Sequence, residues 1–333
     1  ASNQIVEMVH ERVDKKGPVV LQSFKYTRDP VGNVTKIENE RGEVFHYTHD
    51  LKGQLVKALL PRSLVAKLRA KDEAKAHGSN RDDDDGDDED DEGRRIDSEE
   101  LAWKFDPAGN RVEERMGGRV LEAMFGAANE MLTRGRIRYG YDDRGNQVEK
   151  VLPSGQRHVF THNVANQLVA FSKGHQKKSR SLLREVERYL YTPNNERVYV
   201  QDVAGKKLTH FLWLDSRPIE EWHEIGHGHG KKGRGLLYTR DLGGQLLDQV
   251  RYHRTRAGTF ADSDGGGSDD SDEEDEDAGP RVAKLRHVRF VYPDHLGSTS
   301  LITNAHGRRL DRLVYSPWGV PLTGNFSSTR FGY

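Results

Sequence analysis

Along this chain an Asp, two variable residues, a Gly and an Asn or Gln recur as a unit: RDPVGNV from Arg28, HDLKGQL from His49, FDPAGNRV from Phe105 and YDDRGNQV from Tyr141. Asp29 and Asp50 lie 21 residues apart. Asp suits the first position of a turn, and Gly and Asn tolerate positive φ, so Gly32-Asn33, Gly109-Asn110 and Gly145-Asn146 mark turns. The flanks VTKIEN, EVFHYTH and QRHVFTH alternate apolar and polar residues with the period of half-buried strands. A shortened copy, HNVANQLVAF, begins at His162, and a degenerate one, YTPNNERVYV, at Tyr191. Each unit of about 20 residues reads as strand, turn, strand; one hairpin cannot bury its own face, whereas stacked copies share a core. The chain is expected to be an all-β hairpin array. The repeat aromatics Tyr26, Tyr47, Phe105 and Tyr141 are expected to stack by position.

Two stretches depart from the alternation. Ser63 to His77 carries Leu64 and Leu68 four apart behind a capping Ser, and Val120 to Gly135 ends in a glycine stop; both are read as short helices. Charge is segregated more sharply than the net value of −1 suggests. Asp82 to Glu92 and Asp262 to Asp277 each hold ten carboxylates, and without those twenty the remaining 33 acids face 52 Lys and Arg, a net of +19. Blocks of like charge bury nothing, so both tracts are expected to be solvated, disordered insertions. The remaining bases are scattered apart from the clusters Lys177-Lys178-Ser179-Arg180 and Lys231-Lys232-Gly233-Arg234, so nucleic acid is not the expected partner. There is no cysteine, which excludes disulfides and thiolate metal sites. No apolar run reaches the roughly 18 residues of a membrane-spanning helix, and the start, Ala1-Ser2-Asn3-Gln4, shows no signal peptide.

The repeats resemble the YD repeats of the rearrangement-hot-spot (Rhs) proteins, a family that includes bacterial wall-associated proteins, insecticidal toxin-complex subunits and, more distantly, teneurins. More specific residues stand near the end: Asp294-His295-Leu296-Gly297-Ser298, then Asn304-Ala305-His306-Gly307, then Tyr315-Ser316-Pro317-Trp318-Gly319. This order is similar to the signature that precedes the end of an Rhs core, and the resemblance covers about Phe24 to Tyr333 between the acidic tracts. It implies a spiral β-sheet shell around a variable C-terminal domain, often a toxin, delivered by secretion machinery. The resulting division is 1–62 first repeats, 63–100 helix and acidic insertion, 101–261 central repeats, 262–280 second acidic insertion and 281–333 signature region. The D-P-x-G-L segment near which some family members cut themselves is absent, and the sequence given reaches only Arg330-Phe331-Gly332-Tyr333. Self-cleavage residues are therefore not assigned, and the chain is expected to be part of a shell or a truncated remnant.

One motif points elsewhere. His223-Glu224-Ile225-Gly226-His227 spells H-E-x-x-H, which in zinc peptidases sets two His on one helix face with Glu polarising the metal-bound water. Gly226, Gly228 and Gly230 disfavour a helix there, and KLTHFLWLDSRPIEEWHE alternates like paired strands, so the stretch is read as a hairpin end and loop. His223, Glu224 and His227 remain the metal candidates of a remote zinc-peptidase alternative. Arg81 to Glu92 brushes the calcium-loop pattern but starts with Arg and has Asp88 at the apolar position. Asp294, His295 and Ser298 are read as backbone-fixing turn residues with no G-x-S-x-G elbow, and Trp318, between Pro317 and Gly319, as a core anchor. No catalytic residue and no cofactor is expected. The expected role is a non-enzymatic shell segment enclosing a C-terminal toxin or other cargo, with the remaining shell segments as partners, secreted or at the cell surface after delivery. The alternative is a surface adhesion or carbohydrate-contact module.

Overall fold

The computed structural model of the protein describes residues 4–77, 99–177, 180–203, 207–225, 232–241, 243–254, 260–261 and 288–324. Both acidic tracts, the calcium-like loop and His227 lie outside the described residues. The first strands are β1 (Glu7–Asp14), β2 (Gly17–Arg28), β3 (Val34–Asn39), β4 (Val44–His49) and β5 (Leu55–Leu59), followed by α1 (Arg62–His77). Then come β6 (Glu100–Phe105), β7 (Arg111–Met116), β8 (Arg119–Phe125), β9 (Met131–Arg134), β10 (Ile137–Tyr141), β11 (Gln147–Val151), β12 (Gln156–His162), β13 (Leu168–Lys177) and the short β14 (Arg180–Ser181). They continue as β15 (Arg184–Tyr191), β16 (Arg197–Asp202), β17 (Lys207–Leu214), β18 (Arg217–Ile225), β19 (Lys232–Arg240), β20 (Leu246–Arg254) and the short β21 (Phe260–Ala261). The last are β22 (Val288–Pro293), β23 (Thr299–Asn304), β24 (Arg309–Arg312), β25 (Val314–Tyr315) and β26 (Pro321–Thr323).

Every pairing is antiparallel, and from β1 to β24 each strand pairs with the next in sequence, β14 and β21 being side branches on β13 and β20, while β25 and β26 form a separate hairpin. The result is a meander of 22 strands that is not closed into a barrel. The expected all-β array is what the chain adopts. The expected second helix is not: Val120 to Gly135 forms β8, a turn and β9. Leu121 and Ala123 are buried while Val120 and Glu122 are not, a period of two that outweighs the helical spacing of its apolar residues. The first helix begins one residue before the expected start, at Arg62. Its Ser63 hydroxyl donates to Glu43 Oε1 at 2.9 Å. Leu64 and Val65 are buried in the main apolar cluster with Ala58, Leu101, Trp103 and Met116.

A five-residue turn recurs thirteen times among the described residues, always closed by two backbone bonds: first N–H to fifth C=O, and fourth N–H to first C=O. Position four needs positive φ, supplied by Gly145 at +81° or, in the irregular copies, by Asn129, Asn166 and Asn195 at 62°, 60° and 66°. Where the first residue is Asp or Asn its side chain can accept from the backbone N–H of the third and fifth, as Asp142 does from Arg144 at 3.0 Å and Asn146 at 2.8 Å. The Asn146 side chain returns a bond to Asp142 Oδ2 at 2.9 Å, and such Asn donors, first among the causes, hold the Asp29, Asp106 and Asp142 carboxyls below the usual range. Gly145 has open space where a Cβ would go, so its replacement is purely a backbone effect. Gly145→Val is expected to cost about 1–2 kcal/mol and Gly145→Asn much less; urea melts of the pair check this.

Because strands alternate in direction, successive turns fall on opposite rims. One rim carries nine of the five-residue turns, beginning at residues 29, 50, 106, 126, 142, 163, 192, 241 and 294, with the tight Asp215-Ser216 turn between the seventh and eighth. Amides link neighbours along it: Asn110 to Asn129, Asn146 to Asn166 and Gln167 to Asn195, each at 3.0 Å. The opposite rim receives the connections of variable length, among them α1.

Candidate functional site

The two ends of the sheet meet through side chains, with no ladder between them. His10 Nε2 is 2.7 Å from Pro293 O, the Ser300 hydroxyl donates to Gln22 Oε1 at 2.8 Å, and Arg12 donates to His306 O at 3.2 Å. Arg312 clamps Glu40 with both terminal nitrogens. This seam is where the sequence-predicted signature falls. The turn Asp294 to Ser298 is the repeat turn again: Asp294 Oδ1 accepts from Leu296 N–H at 2.8 Å and Ser298 N–H at 3.0 Å, and Gly297 has φ +87°. Antiparallel pairing of β22 with β23 aims the turn over β2, where the His295 ring lies 4.7 Å from that of Tyr26. Ser298 is buried and Leu296 exposed.

The third signature element is a further copy. Ser316 takes the first position, Gly319 the fourth at φ 76°, and β25 and β26 form its arms. Tyr315 donates its hydroxyl to Thr299 O at 2.8 Å, tying this hairpin to β23. Trp318 sits edge-on to Trp103 at 5.7 Å and 6.2 Å from Phe105, with the Arg111 guanidinium 4.4 Å from its ring centre. Pro317 lines a cavity of about 110 Å³ between the hairpin and β2 to β4. Among the described residues Tyr26, Tyr47, Phe105 and Tyr141 make no ring contact with one another, contrary to the stacking expected. Strand twist and the intervening residues separate them, and the rings of Tyr26 and Phe105 meet the signature instead.

Burial pushes the hydroxyl pKa of Tyr26, Tyr47 and Tyr315 up, with the Asp294 charge adding to it in each case. Burial also lowers the pKa of His295; Asp294 opposes the shift and Arg28 reinforces it. The folded state thus binds a proton at His295 less readily than the unfolded chain, whose His titrates near 6.5. Seam stability is fully present above that pH and falls as pH drops through it. Thermal melts at pH 7.5 and 5 are expected to show a drop in the wild type that His295→Gln reduces.

The described part of the H-E-x-x-H stretch, His223 to Ile225, is strand, not helix. His223 and Glu224 are adjacent on β18, so their side chains leave opposite faces. His223 Nδ1 is 2.9 Å from Thr209 Oγ1 and its Nε2 3.0 Å from Glu221 Oε1, whose carboxylate also accepts from Tyr238 at 3.0 Å. Glu224 stands 3.9 Å from His210, whose ring is stacked on Trp222 at 4.1 Å. Both ring nitrogens of His223 face protein groups, and Glu224 cannot reach a ligand shared with it. The turn residues Gly32, Asn33, Gly109, Asn110, Gly145 and Asn146 all stand on the repeat rim. Sequence reasoning missed the ion cluster of Glu114 with Arg111 and Arg134, the Glu221 network and the seam partners His10, Gln22 and Glu40. None of these carries a local pattern; buried charge on an alternating strand was the available signal, at Glu114 inside RVEERM.

No family model and no curated protein matches the chain. Among solved structures it is similar to the crystal structure of TcdB2-TccC3-TEV, at 11% identity and a TM-score of 0.35, over 98% of this chain and 20% of that one. A Photorhabdus luminescens Tc holotoxin pore carrying a TccC3 mutation gives 10% and 0.28, over 93% and 18%. TcdB2-TccC3 without its hypervariable C-terminal region gives 10% and 0.30, over 100% and 20%. The chain spans about one fifth of the length of the solved structures it matches.

Proposed function

We propose that this chain is a non-enzymatic wall segment of a YD-repeat shell, which encloses a C-terminal toxin or other cargo and is secreted or displayed after delivery. The observation that carries the reading is the meeting of signature and first repeats. A meander of repeat hairpins curls until its last strands seat on its first, so that a continuous wall replaces two free sheet ends. Such a wall works by exclusion: backbone groups are paired through the inner strands, side chains cover the meeting of the two ends, and stacked turns stiffen one rim. The remaining shell segments and the cargo are the partners in this reading, and secretion machinery its means of delivery.

Limited proteolysis of the native gene product tests it. Under this reading a tail following the repeat region resists trypsin until the sheet is unfolded by denaturant, and is then cut at once. Digestion of that tail at the rate of a free polypeptide, while the sheet stays intact, would refute enclosure.

A further inference from the structure

The Asp294 turn, like those of Asp50 and Asp241, differs from the Asp29, Asp106 and Asp142 turns in what one oxygen does. At Asp29, Asp106 and Asp142, Oδ2 is held at 2.9 Å by the side chain of Asn33, Asn110 or Asn146. Ser298 stands in that place after Asp294, and among the described residues Asp294 Oδ2 accepts no hydrogen bond. The same aspartate lines the seam cavity of about 110 Å³, whose walls include Phe24, Phe45, Tyr47, Val314 and Tyr315. Tyr26 lines it as well and is 7% exposed. Its hydroxyl meets no hydrogen-bond partner among the described residues; burial raises its pKa, and the His295 backbone N–H nearby acts to lower it. Asp294 is close enough to Tyr26, Tyr47 and Tyr315 for its charge to act on all three hydroxyls. Arg312, also on the wall, is already engaged by Glu40.

These features select a ligand by chemistry. Aromatic walls suit a single six-membered ring seated only partly in the cavity, since a closed void of about 150 Å³ holds benzene and this open one is about 110 Å³. A bare hydrocarbon would leave the carboxylate oxygen and the Tyr26 hydroxyl unmet, at a cost that one hydroxyl on the ring would remove. We propose that the seam cavity is a binding site for a para-substituted phenol, its ring between the aromatic walls, its O–H donated to Asp294 and its oxygen accepting from Tyr26. The phenol can come from a tyrosine side chain of a polypeptide or from a free small molecule. The site is independent of whether the wall encloses cargo.

Calorimetric titration of the full chain with p-cresol, toluene and N-acetyl-tyrosinamide tests this. Saturable one-to-one binding of p-cresol is expected, about tenfold tighter than toluene, as one hydrogen bond to a charged acceptor supplies. Ser298→Asn gives Asp294 Oδ2 the partner that this oxygen has at Asp29, Asp106 and Asp142, and Tyr26→Phe removes the second contact. Each is expected to bring the p-cresol to toluene ratio close to one, with an unchanged cooperative melt establishing that the variant is folded. Binding of N-acetyl-tyrosinamide together with p-cresol supports a polypeptide source, and binding of p-cresol alone a free phenol. Equal affinity for toluene and p-cresol in the wild type, or no saturable binding of either, overturns the assignment.

Discussion

Glu114→Ala is expected to lower the unfolding free energy by about 3–5 kcal/mol, the penalty for stranding buried charge after its partner is removed. Glu114 is 6% exposed and holds Arg134 by two bonds, at 2.8 and 3.2 Å, with Arg111 at 3.3 Å. Burial already depresses the Arg111 pKa, and Glu114 is the charge that opposes the depression. Without it, two largely buried guanidiniums, on β7 and β9 to either side of β8, repel each other. Urea melts measure the loss. Joint replacement of Glu114 and Arg134 by Met should recover most of it, because an apolar pair of similar volume needs no compensating charge. A Glu114→Ala loss below about 1 kcal/mol would mean that water reaches the cluster and screens it.

Trp318 is 39% exposed, so it clamps the hairpin from the surface and is not the core anchor expected; Trp318→Ala is expected to cost about 1–2 kcal/mol through lost ring and cation–π contacts. Trp318 is the point at which the last hairpin engages Trp103 and Phe105, and Arg111 covers its outer side. Its removal should also red-shift fluorescence, since Trp103, 5% exposed, would meet solvent. Arg111 belongs to both the Glu114 cluster and the Trp318 contact, so the two losses should not add. A coupling of about 0.5–3 kcal/mol in the double-mutant cycle is expected for residues that share a partner. Strict additivity would show that the hairpin and the ion cluster do not communicate through Arg111.

The strands and most turns were legible because a positive φ at position four narrows the choice to Gly or Asn, and a two-residue period surrounds it. Legibility failed where the turn changed its lettering. Phe125-Gly126-Ala127-Ala128-Asn129-Glu130 has Gly in the Asp position and Asn in the Gly position, so the segment read as a helix although its backbone bonds are those of the other copies. Asp294 to Ser298 and Ser316 to Val320 were noticed for their family lettering, while their identity with the repeat turn was not. The seam was illegible for another reason: Ser300 and Gln22 are 278 positions apart, and nothing local in either reports the other. His223 and Glu224 were correctly doubted as a helical pair, but the reach of His223 to Thr209 and Glu221 depends on cross-strand register that no motif encodes.

The alternation of rims imposes a parity rule on how such a chain can change length. Adding or losing a single strand would carry every later turn to the other rim, breaking the row of amides and sending the last turn away from Tyr26. Adding two strands restores the order, and enlarging a connection on the variable rim never disturbs it. The spacing of two strands between successive turns of one rim is therefore a counting constraint as much as a structural one. Growth by whole hairpins, or by excursions on one side only, preserves the closure at the far end.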